Sequence, residues 1–124
     1  MKPENIKFKA KRLDNGEWII GSFVVMKIPA LSKTTIGIVA AGGATLHEID
    51  TSTVCQFTGL KDCKGKKIFE HDLIHFVGHK PTGEVIWSEE DYGFMVACVN
   101  EPLYWLSDVL EIGKIERVGN KFDK

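Results

Sequence analysis

The stretch Phe57–Phe76, FTGLKDCKGKKIFEHDLIHF, restricts the fold more than any other part of the chain. Asp62-Cys63-Lys64-Gly65 falls between two short runs, Cys55–Leu60 and Lys66–Phe69. Aspartate at the first position of a turn accepts hydrogen bonds from the backbone ahead of it. Glycine at the last takes the left-handed conformation that closes a short hairpin with a bulge. Asp72 then precedes Leu73–Val77, a run of strand formers that stops at Gly78. The predicted order is strand, tight turn, short strand, corner at Glu70–Asp72, longer strand. A chain that turns this often over so few residues builds a small barrel or sheet rather than a helix.

The flanking segments carry the same signals. Ile6, Phe8 and Ala10 alternate with Lys7, Lys9 and Lys11, the period of a half-buried strand. Asp14-Asn15-Gly16 is a hairpin signal in which asparagine and glycine accept positive φ cheaply. The chain returns through Glu17–Val25, with Trp18 and Ile20 on one face and Ile19 and Phe23 on the other. Met26–Ser32 contains Pro29 and reads as a loop, Thr34–Ala40 as a strand, Ala41–Ala44 as a turn and Leu46–Ile49 as a short strand. Beyond the organising stretch, Gly78–Gly83 is a turn, Glu84–Trp87 a strand and Ser88–Tyr92 an acidic loop. Phe94–Val99 is continuously apolar, as expected of the most buried strand, and Pro102 closes it. In Tyr104–Ile112, Trp105, Val109 and Ile112 fall at helical spacing, and Leu106, Val109 and Leu110 offer another face; a short helix is expected there. Lys114–Val118 is a last strand and Gly119–Lys124 a polar tail.

The pattern TGLKDCKGKKIFEHDLI resembles the signature of the YopX family of phage and prophage proteins, approximately TGLKDKNGKEIYEGDIV. KFKAKRLDNGEWIIGSFV resembles that family's N-terminal segment and IERVGNKFD its closing strand and tail, while Met26–Leu46 and Gly78–Leu110 match only loosely. The resemblance implies a β-rich protein encoded by phages or prophage-bearing bacteria, and it brings no activity with it. The chain departs from the family at Cys63, Lys64, Lys67 and His71, where lysine, asparagine, glutamate and glycine are usual. A family glycine at position 71 suggests tight backbone geometry, and histidine visits the left-handed region more readily than most residues.

The expected fold is mainly β. An N-terminal hairpin and sheet region over residues 1–58 is followed by a small SH3-like barrel over 59–124, with at most one or two short helices, the two packed as one compact unit. A chain of 124 residues buries roughly 65–70% of its unfolded surface, enough for stability without staples. No apolar run approaches the ~20 residues of a membrane span and no charged-then-apolar leader appears, so a soluble, cytoplasmic protein of a bacterial host is expected, without a membrane partner. Cys55, Cys63 and Cys98 are odd in number and lack metal spacing, which reads as reduced thiols.

Candidate sites are few. His71, His75 and His79 recur every four residues. On a helix that aligns ligands, but on a strand it spreads them about 13 Å apart, too far to share one ion at bond lengths of roughly 2 Å. Surface or turn histidines are the expectation. Glu70 and Asp72 are two apart, as paired acids are in general acid–base catalysis, yet they flank a corner, and corners recruit carboxylates for local hydrogen bonds. Cys63 beside Lys61 and Lys64 resembles an activated thiol but has no neighbouring base, and Cys55 and Cys98 are expected to pack as small apolar groups. Lys7, Lys9 and Lys11 form one basic row and Lys61, Lys64, Lys66 and Lys67 another; either suits phosphate contact or protects an exposed strand edge. Trp18, Phe23, Trp87, Phe94, Tyr104 and Trp105 suit base stacking, although core packing is expected of them.

Net charge is −1, with +2 before Thr58 and −3 from it onward, which disfavours a polyanion-binding module. Phosphate loops, nucleophile elbows, metalloprotease helices and dinucleotide fingerprints are missing from the sequence. The expectation is a phage accessory protein that binds without catalysis and without a cofactor. It would act on itself or on a phage or host protein, through strand edges and an apolar patch near Trp105. A nucleic-acid-binding module using the two lysine rows is the alternative, and an enzyme the third reading.

Overall fold

The computed structural model describes residues 2–76, 82–112 and 114–123. The chain divides into two compact units, Met1–Gln56 and Phe57–Lys124. Among the described residues it forms two antiparallel sheets and one short α-helix.

In the first unit, β1 (Phe8–Lys11), β2 (Trp18–Ile28), β3 (Lys33–Ala40) and β4 (Leu46–Glu48) pair in the order β4-β3-β2-β1. The β1–β2 turn is the expected one. Arg12 N–H donates to Glu17 O at 2.9 Å and Gly16 takes φ +71°, while Asn15 stays out of the left-handed region. Ala10 faces Ile19 across the pair, and with Ile38 and Ile49 they form a buried cluster packed by Phe8, Ile36, Ala40 and Val54. Gly21 makes the tight β2–β3 approach possible, since a Cβ there would stand 2.0 Å from the Val39 carbonyl oxygen.

Two expectations fail in this unit. Met26–Ile28 is strand, not loop, because Val24, Val25 and Ile28 continue the cross-strand register with β3 to Ile28↔Lys33. Pro29, which cannot donate to a ladder, falls just past the strand and opens a 3₁₀ turn, Pro29–Leu31. The first lysine row does not protect an edge either. β1 pairs with β2 on one side, and on the other Phe8 and Lys9 pair with Gln56 and Cys55, the first residues of β5 (Cys55–Lys61).

In the second unit, the later part of β5 pairs with β6 (Lys67–Phe69) around the expected turn. Then β7 (Asp72–Phe76), β8 (Thr82–Ser88), β9 (Gly93–Ala97), β10 (Tyr104–Trp105) and β11 (Ile115–Asn120) make a five-stranded sheet in the order β10-β9-β8-β7-β11. Ile68, Ile74, Val85, Val96, Leu106 and Ile115 are almost wholly buried in one cluster. Burial of side chains of this size contributes roughly 1.5–3 kcal/mol each. Helix α1 (Leu106–Ile112) is too short to stand alone and is held by Leu106, Val109 and Leu110 packing on that cluster; Trp105 precedes it as strand. The apolar run ends sooner than expected: β9 stops at Ala97, Cys98 is buried, and Val99 is 82% exposed in the following loop.

Candidate functional site

The organising turn is held by one carboxylate. Asp62 Oδ1 accepts from the N–H groups of Lys64 (2.9 Å) and Lys66 (2.8 Å), as the turn chemistry requires. Its Oδ2 accepts from Arg117 N–H on β11 at 2.8 Å, a contact across 55 residues that no local pattern announces. Burial alone would raise the Asp62 carboxyl; the three N–H donors, Arg117 foremost, outweigh it and hold the group below the ordinary aspartate range. Gly65 takes φ +81°, and Cys63 N–H donates to Ile115 O at 3.0 Å, so the hairpin is tied to β11 at two points.

At the corner that follows, the two carboxylates differ in burial, and Glu70 is half-buried. Asp72 is fully buried at the start of β7. Its Oδ2 accepts from Phe69 N–H (2.7 Å) and lies 3.0 Å from Arg117 Nε, while its Oδ1 accepts from Asn120 Nδ2 (2.9 Å). A carboxylate with these partners joins β6, β7 and β11. Between Glu70 and Asp72, His71 occupies the left-handed region at φ +68°, the geometry that a family glycine implied. Its Nδ1 lies 2.9 Å from Glu84 Oε2 and its Nε2 3.6 Å from Glu70 Oε2, with the Phe122 ring edge-on at 5.3 Å. His75 sits on β7 opposite Thr82, and His79 lies outside the described residues. Among the described residues, no three His, Cys, Asp or Glu side chains are grouped to hold a metal ion.

The two lysine rows belong to different units and differ in availability. Lys9 is only 5% exposed, with Nζ 4.6 Å from the centre of the Trp18 ring; Lys11 Nζ lies 5.5 Å from the same ring, and Lys7 is half-buried. Lys61, Lys64, Lys66 and Lys67 are all exposed on the β5–β6 hairpin. Lys61 lies directly opposite Lys67, and Lys64 Nζ is 2.9 Å from Glu116, whose hydrogen bond raises the lysine's pKa. None of the three cysteines is in a disulfide: Cys55 and Cys98 are buried, burial pushing the Cys98 thiol up, and Cys63 is exposed in the turn.

The aromatic residues are where the core expectation is corrected. Trp87, Tyr104 and Trp105 are about two-fifths exposed, Phe23 slightly less, and only Trp18 and Phe94 are half-buried. The reason is topological: β10 is the outer strand of the five-stranded sheet, and it carries Tyr104 and Trp105 with Leu103 just before it. The Trp105 ring lies over Gly93, where a Cβ would come 2.5 Å from Cζ3, and so borders the β8–β9 turn bearing Tyr92, which is 80% exposed. Trp87 meets Phe94 edge-on at 5.1 Å. The register divides these rings between two faces: Tyr104, opposite Val96, lies on the side of Trp87 and Phe94, whereas Trp105, opposite Met95, lies on the other side over Gly93. Among the described residues the outer edge of β10 has no strand partner.

Two features of the first unit escaped the sequence. Beyond Gly21, β2 pairs only with β3 among the described residues, leaving a two-stranded arm with Phe23, Val25 and Met26 exposed and Leu31 67% exposed at its tip. The second is an open depression of about 340 Å³ lined by Leu13, Asp14, Leu46, His47 and Glu48. Arg12, bonded to Asp14 at 2.6 Å, holds that carboxyl below its ordinary range.

Fold and surfaces together define an antiparallel β protein whose exposed features are strand edges and aromatic side chains. The family model described as YopX protein matches residues 7–124, and the chain belongs to the YopX family. No curated protein and no solved structure gave a match.

Proposed function

We propose that this protein works by binding rather than by catalysis, as an accessory protein of phage or prophage origin in the cytoplasm of a bacterial host, and that its first partner is another copy of itself. The observation that carries this reading is the free edge of β10, where Leu103, Tyr104 and Trp105 stand more than two-fifths exposed in a row. Apolar residues grouped on an unpaired edge mark interaction surfaces more often than they mark solvent-facing strands. The commitment of Asp72 to Phe69, Arg117 and Asn120 supports the non-catalytic part. We also read the second unit as an SH3-like barrel, since the β5–β6 hairpin bonds to the outer strand β11 through Cys63 and Asp62. Light scattering coupled to gel filtration tests the reading. The wild-type chain should gain mass with concentration, and Tyr104→Ser with Trp105→Ser should remain monomeric. A wild-type chain that is monomeric throughout and binds no phage or host protein would sink it.

A second reading, binding of nucleic acid, draws on the exposed Lys61, Lys64, Lys66 and Lys67 hairpin. Like charges placed directly opposite, as Lys61 and Lys67 are, favour an anionic neighbour. Retarded DNA or RNA mobility that is lost steeply with added salt is its signature. Unchanged mobility at micromolar protein and low salt removes it.

A further inference from the structure

The second unit carries two patches of opposite character at the two outer strands of one sheet. Between Lys80 and Lys114 the sequence contains no lysine, arginine or histidine. The same interval supplies the exposed rings of Trp87, Tyr92, Tyr104 and Trp105, together with exposed carboxylates at Glu89, Glu90, Asp91, Glu101, Asp108 and Glu111. Trp87 and Tyr104 lie on one face of the sheet and Trp105 on the other, where its ring covers Gly93 and so stands beside the turn that carries Glu89, Glu90, Asp91 and Tyr92; Glu101 leads into β10. At the other outer strand, β11, the β5–β6 hairpin is anchored by the Cys63–Ile115 and Asp62–Arg117 hydrogen bonds and presents its four lysines to solvent. The Lys64–Glu116 pair meets one of those charges; Lys61 and Lys67 face each other.

We propose that the Trp105 side of the β10 edge of one copy, beside the acidic β8–β9 turn, receives the Lys61–Lys67 hairpin of a second copy. This rests on the self-association reading above and names its geometry. Charge complementarity selects the occupant: the Trp105 ring stands beside an exposed turn of three carboxylates in an interval without basic residues, and the same chain exposes a compact basic hairpin. Lysine fits such a site twice over, its methylene stem lying along the ring and its ammonium meeting either the π-face or a carboxylate of the turn. The negative neighbours also relieve the Lys61–Lys67 opposition. Because the two patches differ, the contact is heterologous, and copies join head to tail into a ring or an open chain rather than a two-fold dimer. Charge of this kind steers encounter and weakens with ionic strength.

Two charge-reversed chains test it. One carries Lys61→Glu, Lys66→Glu and Lys67→Glu; the other carries Glu89→Lys, Glu90→Lys and Glu101→Lys. All six positions are exposed. Wild-type assemblies should dissociate as sodium chloride is raised, each variant alone should be monomeric by light scattering, and an equimolar mixture of the two should assemble again. A neutral set, Lys61→Gln, Lys66→Gln and Lys67→Gln, should weaken wild-type association about tenfold and guards against misfolding of the reversed chains. Assembly that ignores salt and both reversals, yet is lost in Trp105→Ser, overturns this inference while leaving self-association standing. A wild-type monomer that binds a lysine-rich peptide at β10 overturns the second copy as occupant. A wild-type monomer that binds nothing overturns both readings.

Discussion

Removing the Asp62 carboxylate should cost the second unit a large share of its stability. In Asp62→Ala three backbone donors lose their acceptor. The N–H groups of Lys64 and Lys66 lie in an exposed turn and rehydrate, while that of Arg117 sits on a half-buried strand. A hydrogen bond to a charged acceptor contributes about 1.5–3 kcal/mol; counting the Arg117 bond in full and the two rehydrating turn bonds at about 0.5–1.5 each, the three together come to roughly 2.5–6 kcal/mol. Asp62→Asn keeps an oxygen for the two turn donors but points an amide NH₂ at Arg117 N–H, and about 1–3 kcal/mol is expected. Urea unfolding followed by tryptophan fluorescence measures both. The pH dependence gives a second reading. Asp62 is held below its ordinary value when folded, so its contribution is complete above the unfolded pKa of about 3.9 and disappears as pH falls through the lower folded value. The gap between wild type and Asp62→Ala should therefore close in acid. A gap below about 0.5 kcal/mol at neutral pH, or one that does not narrow in acid, would refute the claim that this carboxylate ties the turn to β11.

Further perturbations probe other links. Arg117→Met leaves Asp72 buried without its cation and should destabilise by about 3–5 kcal/mol in the same unfolding assay, far beyond an exposed-arginine substitution. His71→Ala keeps the left-handed backbone strain and loses the Glu84 contact, whereas His71→Gly relieves the strain; the glycine variant should be the more stable by roughly 1–2 kcal/mol in thermal unfolding. Gly21→Ala would drive a Cβ into the Val39 carbonyl and part β2 from β3, costing about 2–4 kcal/mol in urea unfolding.

What local chemistry dictates is legible in the residues themselves. Asp62 and Gly65 announce their turn because an Asx hydrogen bond and a positive φ are set within a few residues, and His71 announces its strained corner because the resemblance has glycine there. Cross-sheet partners are not legible in this way. Nothing near Asp62 signals that its second oxygen serves Arg117, and nothing near Asp72 signals Arg117 and Asn120. Pro29 misleads because proline forbids a ladder donor only at its own position, so the strand runs to the residue before it. The lysine row misleads because alternation cannot tell an edge strand from an inner one, and β1 is inner, which buries Lys9 beside Trp18. Exposure of Tyr104 and Trp105 depends on β10 being outermost, a property of strand order rather than of the residues themselves.

Hydrogen–deuterium exchange as a function of protein concentration tests the central claim, that copies of this chain meet at the β10 edge. Peptides covering Leu103–Trp105 and the Glu89–Tyr92 turn should become protected as concentration rises, and that protection should vanish in Trp105→Ser. Exchange at those peptides that stays constant while the Phe23–Leu31 arm becomes protected would contradict the account and move the contact to the other unit.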